Sequence, residues 1–334
     1  MVSSLAGSSL SAELSYPMPI SLPIDIAICF DQGYVPYVYV LLASVFEHHQ
    51  DVAVTIHSLA PGILAADKQS IHLFAAQHGG QVHFYELDVA TLPAFALPDH
   101  ATSYFTLANY YRLFLADLVV PSLSKILYLD IDTLVIGSLK PLFQLDLGDY
   151  ALAAVQDADM HVRHDLGISS QADYFNSGVL LMNLPAWRQQ RITERTCDLA
   201  VRYPDKVKGW VDQDALNLLL QGHWYRLDGR YNVMNGAIPA DLPRRQYQQF
   251  LADKVIIHFT GTPKPWHWTC ESRFRYLYQR YAKGLPHARA HRNPTRTLSS
   301  PQLLQLAKNR LLETYFNYPE IGKVWRRFKS TLGY

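Results

Sequence analysis

The chain has 334 residues, 49% of them hydrophobic, with 30 Lys and Arg against 29 Asp and Glu. This suits one large domain or one domain with an appendage. Three widely spaced cysteines, Cys29, Cys197 and Cys270, argue against a disulfide framework and for a reducing compartment, and without a run of 18 apolar residues no transmembrane helix is expected.

Charge is unevenly spread. Residues 282–334 hold ten Lys or Arg and two acids, which leaves 20 bases and 27 acids in residues 1–281. An acidic body with a basic tail directs the tail towards an anionic surface, with no nucleic acid expected as a partner.

Residues 1–23 are rich in Ser and Pro, lack a basic n-region, and read as a loose tail rather than a signal peptide. "IDIAICF" (Ile24–Phe30) reads as a buried strand and Val35–His48 as a helix. Val52–Leu59 is a second strand, Leu64–His78 a second helix, and Gln81–Leu87 a third strand. Leu107–Val119 has helical spacing and Lys125–Leu129 is the next strand. This alternation predicts an α/β fold of right-handed βαβ units with a mostly parallel twisted sheet, its ligands at the carboxyl ends of the strands. The second half is less regular. It offers a strand within Tyr174–Leu184, a helix over Pro185–Tyr203, a short helix over Asp212–Gly222 and a strand over Lys254–Gly261. Residues 284–300 read as a linker, and beyond Pro301 helical spacing returns in a basic tail.

The segment "KILYLDIDTLVIG" places Asp130 and Asp132 at a strand end. In an extended segment residues i and i+2 share a side, so the two carboxylates converge while Ile131 turns into the core. Carboxylates that close need a cation, and oxygen ligands suit Mg²⁺ or Mn²⁺ bridging to phosphate. A turn with both acids facing solvent is the plainer alternative. A haloacid-dehalogenase-type phosphatase is a second chemical reading of Asp-x-Asp. That family expects Thr or Val two positions after the second Asp, where this chain has Leu134, with Thr133 one position early.

Four segments together resemble family 8 glycosyltransferases of the bacterial lipopolysaccharide galactosyl- and glucosyltransferase kind: "LYLDIDTLVIGSLKPLF", "YFNSGVLLMNLPAWR", "DQDALN" and "IIHFTGTPKPWH". The resemblance covers about residues 24–280. It implies a nucleotide-diphospho-sugar transferase (GT-A-like) fold, a catalytic domain over 24–283, and a retaining, metal-dependent transferase. It also implies a UDP-galactose or UDP-glucose donor and a saccharide or glycolipid acceptor. The implied metal ligands are Asp130, Asp132 and His258, around Mn²⁺ with Mg²⁺ as the other candidate. Gly261 and Lys264 match a diphosphate-contacting turn, and Asp31 and Tyr34 a uridine site in which Gly33 stands where the family often has Asn. Arg112 matches a donor-contacting arginine. Asp157, Asn176 and the run Asp212, Gln213, Asp214 match the sugar pocket, with Gln213 nearest the anomeric carbon. Asp212 also reads as a helix N-cap, and Arg112 as half of a salt bridge on an amphipathic helix. A sugar-nucleotide-binding protein without turnover remains a third reading. The basic tail, 284–334, with Trp325 and Phe328 among four bases in "KVWRRFK", suits an interfacial helix on the inner face of the cell membrane, the enzyme being cytoplasmic and peripheral.

Overall fold

The computed structural model describes residues 23–97, 106–239, 242–270 and 272–287, and isolated positions between 299 and 311. Strands β1 (Ile24–Cys29), β2 (Val54–Leu59) and β3 (Gln81–Tyr85) alternate with helices α1 (Val35–Glu47) and α2 (Ala65–Gln77). Two short helices, α3 (Ala108–Tyr111) and α4 (Leu115–Leu118), lead into β4 (Lys125–Leu129). β5 (Thr133–Val135), α5 (Lys140–Gln144), β6 (Leu152–Gln156) and β7 (Phe175–Asn183) follow. Next come α6 (Leu184–Gln189), α7 (Ile192–Arg202), α8 (Pro204–Val207) and α9 (Val211–Leu220). β8 (Tyr225–Arg226), α10 (Tyr247–Leu251), β9 (Ile256–His258) and α11 (Arg275–Ala282) complete the order.

Seven strands form one sheet in the order β3-β2-β1-β4-β7-β6-β8. Only β7 runs against the others: it pairs antiparallel with both β4 and β6, while the remaining pairs are parallel. Both faces are covered, which is why strands such as "VLLM" in β7 are apolar on successive residues rather than alternating. On one face α1 packs Val38, Leu41, Leu42 and Val45 against Ile26, Ile28 and Leu127. On the other, Trp187, Cys197 and Leu216 cover Tyr128, Leu180 and Met182.

The antiparallel strand shapes the site. Because β7 starts where β4 ends, Leu129 pairs with Val179, and the Asp130 N–H donates to the Gly178 carbonyl at 2.8 Å. The first residues of β7 therefore stand beside the Asp130-x-Asp132 segment.

Several sequence expectations change in detail. The helix expected over Leu107–Val119 is broken by a 3₁₀ turn at Arg112–Phe114, where the Arg112 side chain is drawn inwards. The Pro185–Tyr203 helix is two helices, separated at Arg191, whose φ is +54°. Thr193 holds the junction, donating to Leu113 O at 2.7 Å and accepting from the buried Trp187 indole at 3.0 Å. Only Ile256–His258 of the Lys254–Gly261 run is strand, and it pairs with β5 as a separate two-stranded sheet in which His258 faces Thr133. β6 was not expected: "LAAVQ" is short and built on alanines, a weak strand signal. Among the described residues, no helix is long and apolar enough to cross a membrane. Nearly all of the loose N-terminal tail, most of the 284–300 linker and the "KVWRRFK" segment lie outside the described residues.

Candidate active site

After β4 the chain turns tightly rather than continuing extended. The Thr133 N–H and hydroxyl both donate to Asp130 O, at 3.1 and 2.7 Å. Asp130 and Asp132 were expected to converge through strand geometry; the turn produces the same convergence and still buries Ile131. Pairing of β5 with β9 then brings His258 opposite. Ligand atoms of Asp130, Asp132 and His258 lie within 4.8 Å of one another, with His258 Nε2 3.4 Å from Asp132 Oδ1 and 3.8 Å from Asp130 Oδ2.

Each carboxylate also has a protein cation. Asp130 Oδ1 is 3.0 Å from Arg112 Nη2 and accepts from the Tyr128 hydroxyl at 2.6 Å. Asp132 Oδ2 pairs with Lys264 Nζ. Burial opposes charge on Asp132, but Lys264 and His258 outweigh it and hold the carboxyl well below the usual range.

Arg112 is buried rather than a surface partner. Its Nε lies 3.1 Å from Asp212 Oδ2, its Nη1 donates to Ser177 O at 2.6 Å, and its guanidinium sits 4.4 Å from the centre of the Tyr128 ring. Burial works against its charge, and Asp130 and Asp212 more than restore it. Asp212 is not an N-cap. The residue before α9 is Trp210, whose N–H is taken by Asp214 Oδ2 at 2.9 Å. Asp212 instead faces Arg112 and accepts from Ser177 Oγ at 3.1 Å; burial pushes its carboxyl up to about 7 against the pull of Arg112.

Asp157, Asn176 and Gln213 form a connected group. Asp157 Oδ2 accepts from Asn176 Nδ2 and Gln213 Nε2, both at 3.2 Å. Burial raises its pKa while these two amides oppose the rise. Gln213 Oε1 accepts from the Ser177 N–H at 3.0 Å and Asn176 Nδ2 at 3.2 Å, so both its lone pairs have donors. Asp214, two residues past Asp212, is buried under the Tyr174 hydroxyl at 2.7 Å and Arg163, which is a structural role.

At the β1 end, Asp31 Oδ1 accepts from the Gly33 N–H at 2.9 Å and Oδ2 from the Thr106 hydroxyl at 3.4 Å. Tyr34 stands edge-on to Trp266, ring centres 5.8 Å apart, and burial pushes its hydroxyl up to about 12. Gly261, at φ +74°, makes the turn that carries Lys264.

Of the thirteen residues given site roles from the sequence, twelve line one cavity of ≈ 400 Å³; Asp214, matched to the sugar pocket, does not, because Tyr174 and Arg163 hold its carboxylate elsewhere. Sequence reasoning missed four others. Tyr128 and Ser177 hold Asp130, Arg112 and Asp212, as above. Gly178 lies against the cluster: a Cβ there would be 2.2 Å from His258 Cε1 and 2.7 Å from Asp130 Oδ2. Its position in "FNSG" was visible, but nothing local marks a glycine as a contact point. Asn232, in "GRYNVMN", accepts at Oδ1 from His258 Nδ1 at 3.0 Å and carries no sequence signal of its own.

Two carboxylates and one imidazole, closely packed against a glycine that leaves them room, fit a divalent ion. The mixed O/N donor set suits Mn²⁺ better than Mg²⁺. The family model for glycosyl transferase family 8 matches residues 25–270. The chain belongs to glycosyl transferase family 8. As a glycosyltransferase it is 30% identical over 270 residues to general stress protein A of Bacillus subtilis, covering 77% of this chain and 92% of that one. It is 31% identical to a lipopolysaccharide 1,2-glucosyltransferase of Escherichia coli, with 74% and 76% covered. With the lipopolysaccharide 1,3-galactosyltransferase of Salmonella typhimurium the identity is 26%, with 76% and 77% covered. Among solved structures, the galactosyltransferase LgtC in complex with donor and acceptor sugar analogues superposes with a TM-score of 0.64 at 28% identity. It covers 85% of this chain and all of LgtC. The fold is thus the GT-A-like one expected, and the phosphatase reading of Asp130-x-Asp132 falls with the family assignment.

Gly178→Ala should push His258 and Asp130 apart. A Mn²⁺ titration is expected to show binding weakened about 10–100-fold, the range for disturbing the groups that orient metal ligands, with the thermal transition retained.

Proposed function

We propose that this glycosyltransferase moves a hexose, galactose before glucose, from a UDP-sugar to a saccharide or glycolipid acceptor in lipopolysaccharide or related surface-glycan synthesis, with retention at the anomeric carbon. The observation that carries this is the opening of the Asp130–Asp132–His258 cluster and the Asp157–Asn176–Gln213 group into one cavity. The names of the lipopolysaccharide transferases to which the chain is similar support the substrate class.

Asp130, Asp132 and His258 would hold the divalent ion. When bound, Mn²⁺ or Mg²⁺ supplies Lewis-acid stabilisation of the diphosphate leaving group. Lys264 adds a point charge to the diphosphate, and the Gly261 turn lets the backbone approach it. Arg112 holds Asp130 at a fixed distance and adds positive potential beneath the donor. Asp31 takes the uridine and Tyr34 the uracil face. Asp157, Asn176, Asp212 and Gln213 take the hexose. The acceptor hydroxyl attacks on the face from which UDP leaves, and the leaving phosphate accepts its proton. Gln213 is an amide, a poor nucleophile, and its oxygen already has two donors. Its part is to hold Asp157 and Asn176 in place and to stabilise the cationic sugar through the carbonyl dipole. We also propose that the basic tail keeps the enzyme on the cytoplasmic face of an anionic membrane.

Purified protein should release UDP from UDP-galactose or UDP-glucose in the presence of Mn²⁺, faster with acceptor. A chain that binds these donors without release is a silent binder, and the proposal fails.

Asp132→Asn should keep the fold and lose most of this activity; near-normal turnover in Mn²⁺ would remove the metal assignment.

Deletion after Ser300 is expected to abolish sedimentation with acidic liposomes and spare activity on a soluble acceptor. Equal sedimentation of both proteins refutes the membrane role.

Gln213→Ala should slow transfer by a factor on the order of 10–1000, the range for one positioned polar group, without abolishing it. Proton NMR of the first product should show an α linkage. A β product overturns retention, and a trapped glycosyl adduct on Asp157 or Asp212 overturns front-face attack.

A further inference from the structure

We infer that Asn232 is a positioning residue that decides which nitrogen of His258 faces the carboxylate pair, acting as the last member of a polarised amide chain that begins at the sugar pocket. The inference rests on the metal assignment made above and on six buried hydrogen bonds.

Two backbone N–H groups set the polarity. The Gly178 N–H donates to Asn176 at 3.0 Å, so the receiving atom is the amide oxygen. The Ser177 N–H likewise fixes the oxygen of Gln213 at 3.0 Å. Asn176 Nδ2 is then a donor, satisfied by Asp157 and Gln213. Asn232 Nδ2 donates to the same Asn176 oxygen at 2.9 Å, which leaves Asn232 Oδ1 opposite His258 Nδ1 at 3.0 Å. Turning the Asn232 amide over would set oxygen against oxygen at Asn176. An acceptor at Nδ1 keeps the proton there, and Nε2 presents its lone pair to the cluster. A metal ligand needs that tautomer.

The backbone holds Asn232 at this distance. It follows the 3₁₀ turn Gly229–Tyr231, and the next residue is bonded to β9 on both sides. The Val233 N–H donates to Ile256 O at 2.8 Å, and the His258 N–H donates to Val233 O at 3.0 Å. Asn232 and His258 are 1% and 4% exposed, so solvent cannot replace a lost partner, and the Gly178 backbone packs against the imidazole.

The full chain is tested without donor or acceptor. In metal-free wild type, ¹⁵N NMR of labelled histidine should show His258 protonated at Nδ1, the nitrogen that faces the Asn232 oxygen. Asn232→Leu removes both bonds and should weaken Mn²⁺ binding about 10–100-fold, read by EPR of free Mn²⁺. Asn232→Asp keeps an acceptor opposite Nδ1 while setting an oxygen against the Asn176 oxygen, and should recover part of that loss, which a purely structural role would not. The inference is overturned by an Nδ1 without a proton in wild type, by wild-type Mn²⁺ affinity in folded Asn232→Leu, or by equal weakness of the two variants. If Asn232→Leu fails to fold, the wild-type spectrum decides. A wild type that binds no Mn²⁺ overturns the metal assignment instead, and the NMR signature alone then judges Asn232. Since neither measurement uses a sugar, failure of transfer with these results intact counts against the proposed reaction only.

Discussion

Burying Arg112 between Asp130 and Asp212 is the constraint on which the rest of the site depends. One guanidinium joins the 3₁₀ turn after α3, the end of β4, the start of β7 and the first turn of α9. This charge lies where all four elements meet at the cavity. The arrangement is unforgiving. Removing one partner of a buried ion pair leaves the other charge uncompensated, typically at a cost of about 3–5 kcal/mol. The broken helix at Arg112–Phe114 follows from the same demand. A straight helix over Leu107–Val119 would continue the regular spiral where the chain instead tightens as the side chain turns inwards.

Topology does the second part of the work. A wholly parallel sheet would bring only strand carboxyl ends to one edge. Reversal of β7 brings a strand start there as well, so the Asn176, Ser177 and Gly178 backbone meets the turn after β4 directly. That is why backbone N–H groups, which cannot reorient, fix the amides of Asn176 and Gln213. The small β5–β9 sheet then closes the third side with His258.

The first half of the fold was legible because its strands are continuous apolar runs separated by helical periodicity, and both signals are local. The turn at Asp130–Thr133 and the reversal of β7 were not, since antiparallel pairing is decided by what lies across the sheet. Asp130, Asp132 and His258 could be named from their motifs, whereas Asn232 could not. An asparagine after a 3₁₀ turn looks like any turn residue, and its importance arises only from packing against β9. Asp212 shows the opposite case. An acid at a helix start reads as a cap by its position, yet the backbone N–H of Trp210 goes to Asp214 and the Asp212 side chain is left for Arg112.

Charge balance explains why these pieces belong together. Six aspartates line the cavity, Asp31, Asp130, Asp132, Asp157, Asp159 and Asp212, against two side-chain cations, Arg112 and Lys264. Burial relieves part of the imbalance by raising Asp157 and Asp212. Asp132 goes the other way and stays ionised. A diphosphate entering this field alone would be repelled by the acids nearest to it. The same acids would attract a divalent ion, and such an ion would supply the positive potential that a diphosphate needs there. Lys264 on Asp132 cannot do this alone, since one unit of charge only neutralises the carboxylate it touches. On the proposed function, the uncompensated negative charge ties donor binding to metal binding, since a cavity so acidic suits a phosphate-bearing ligand when a cation comes with it.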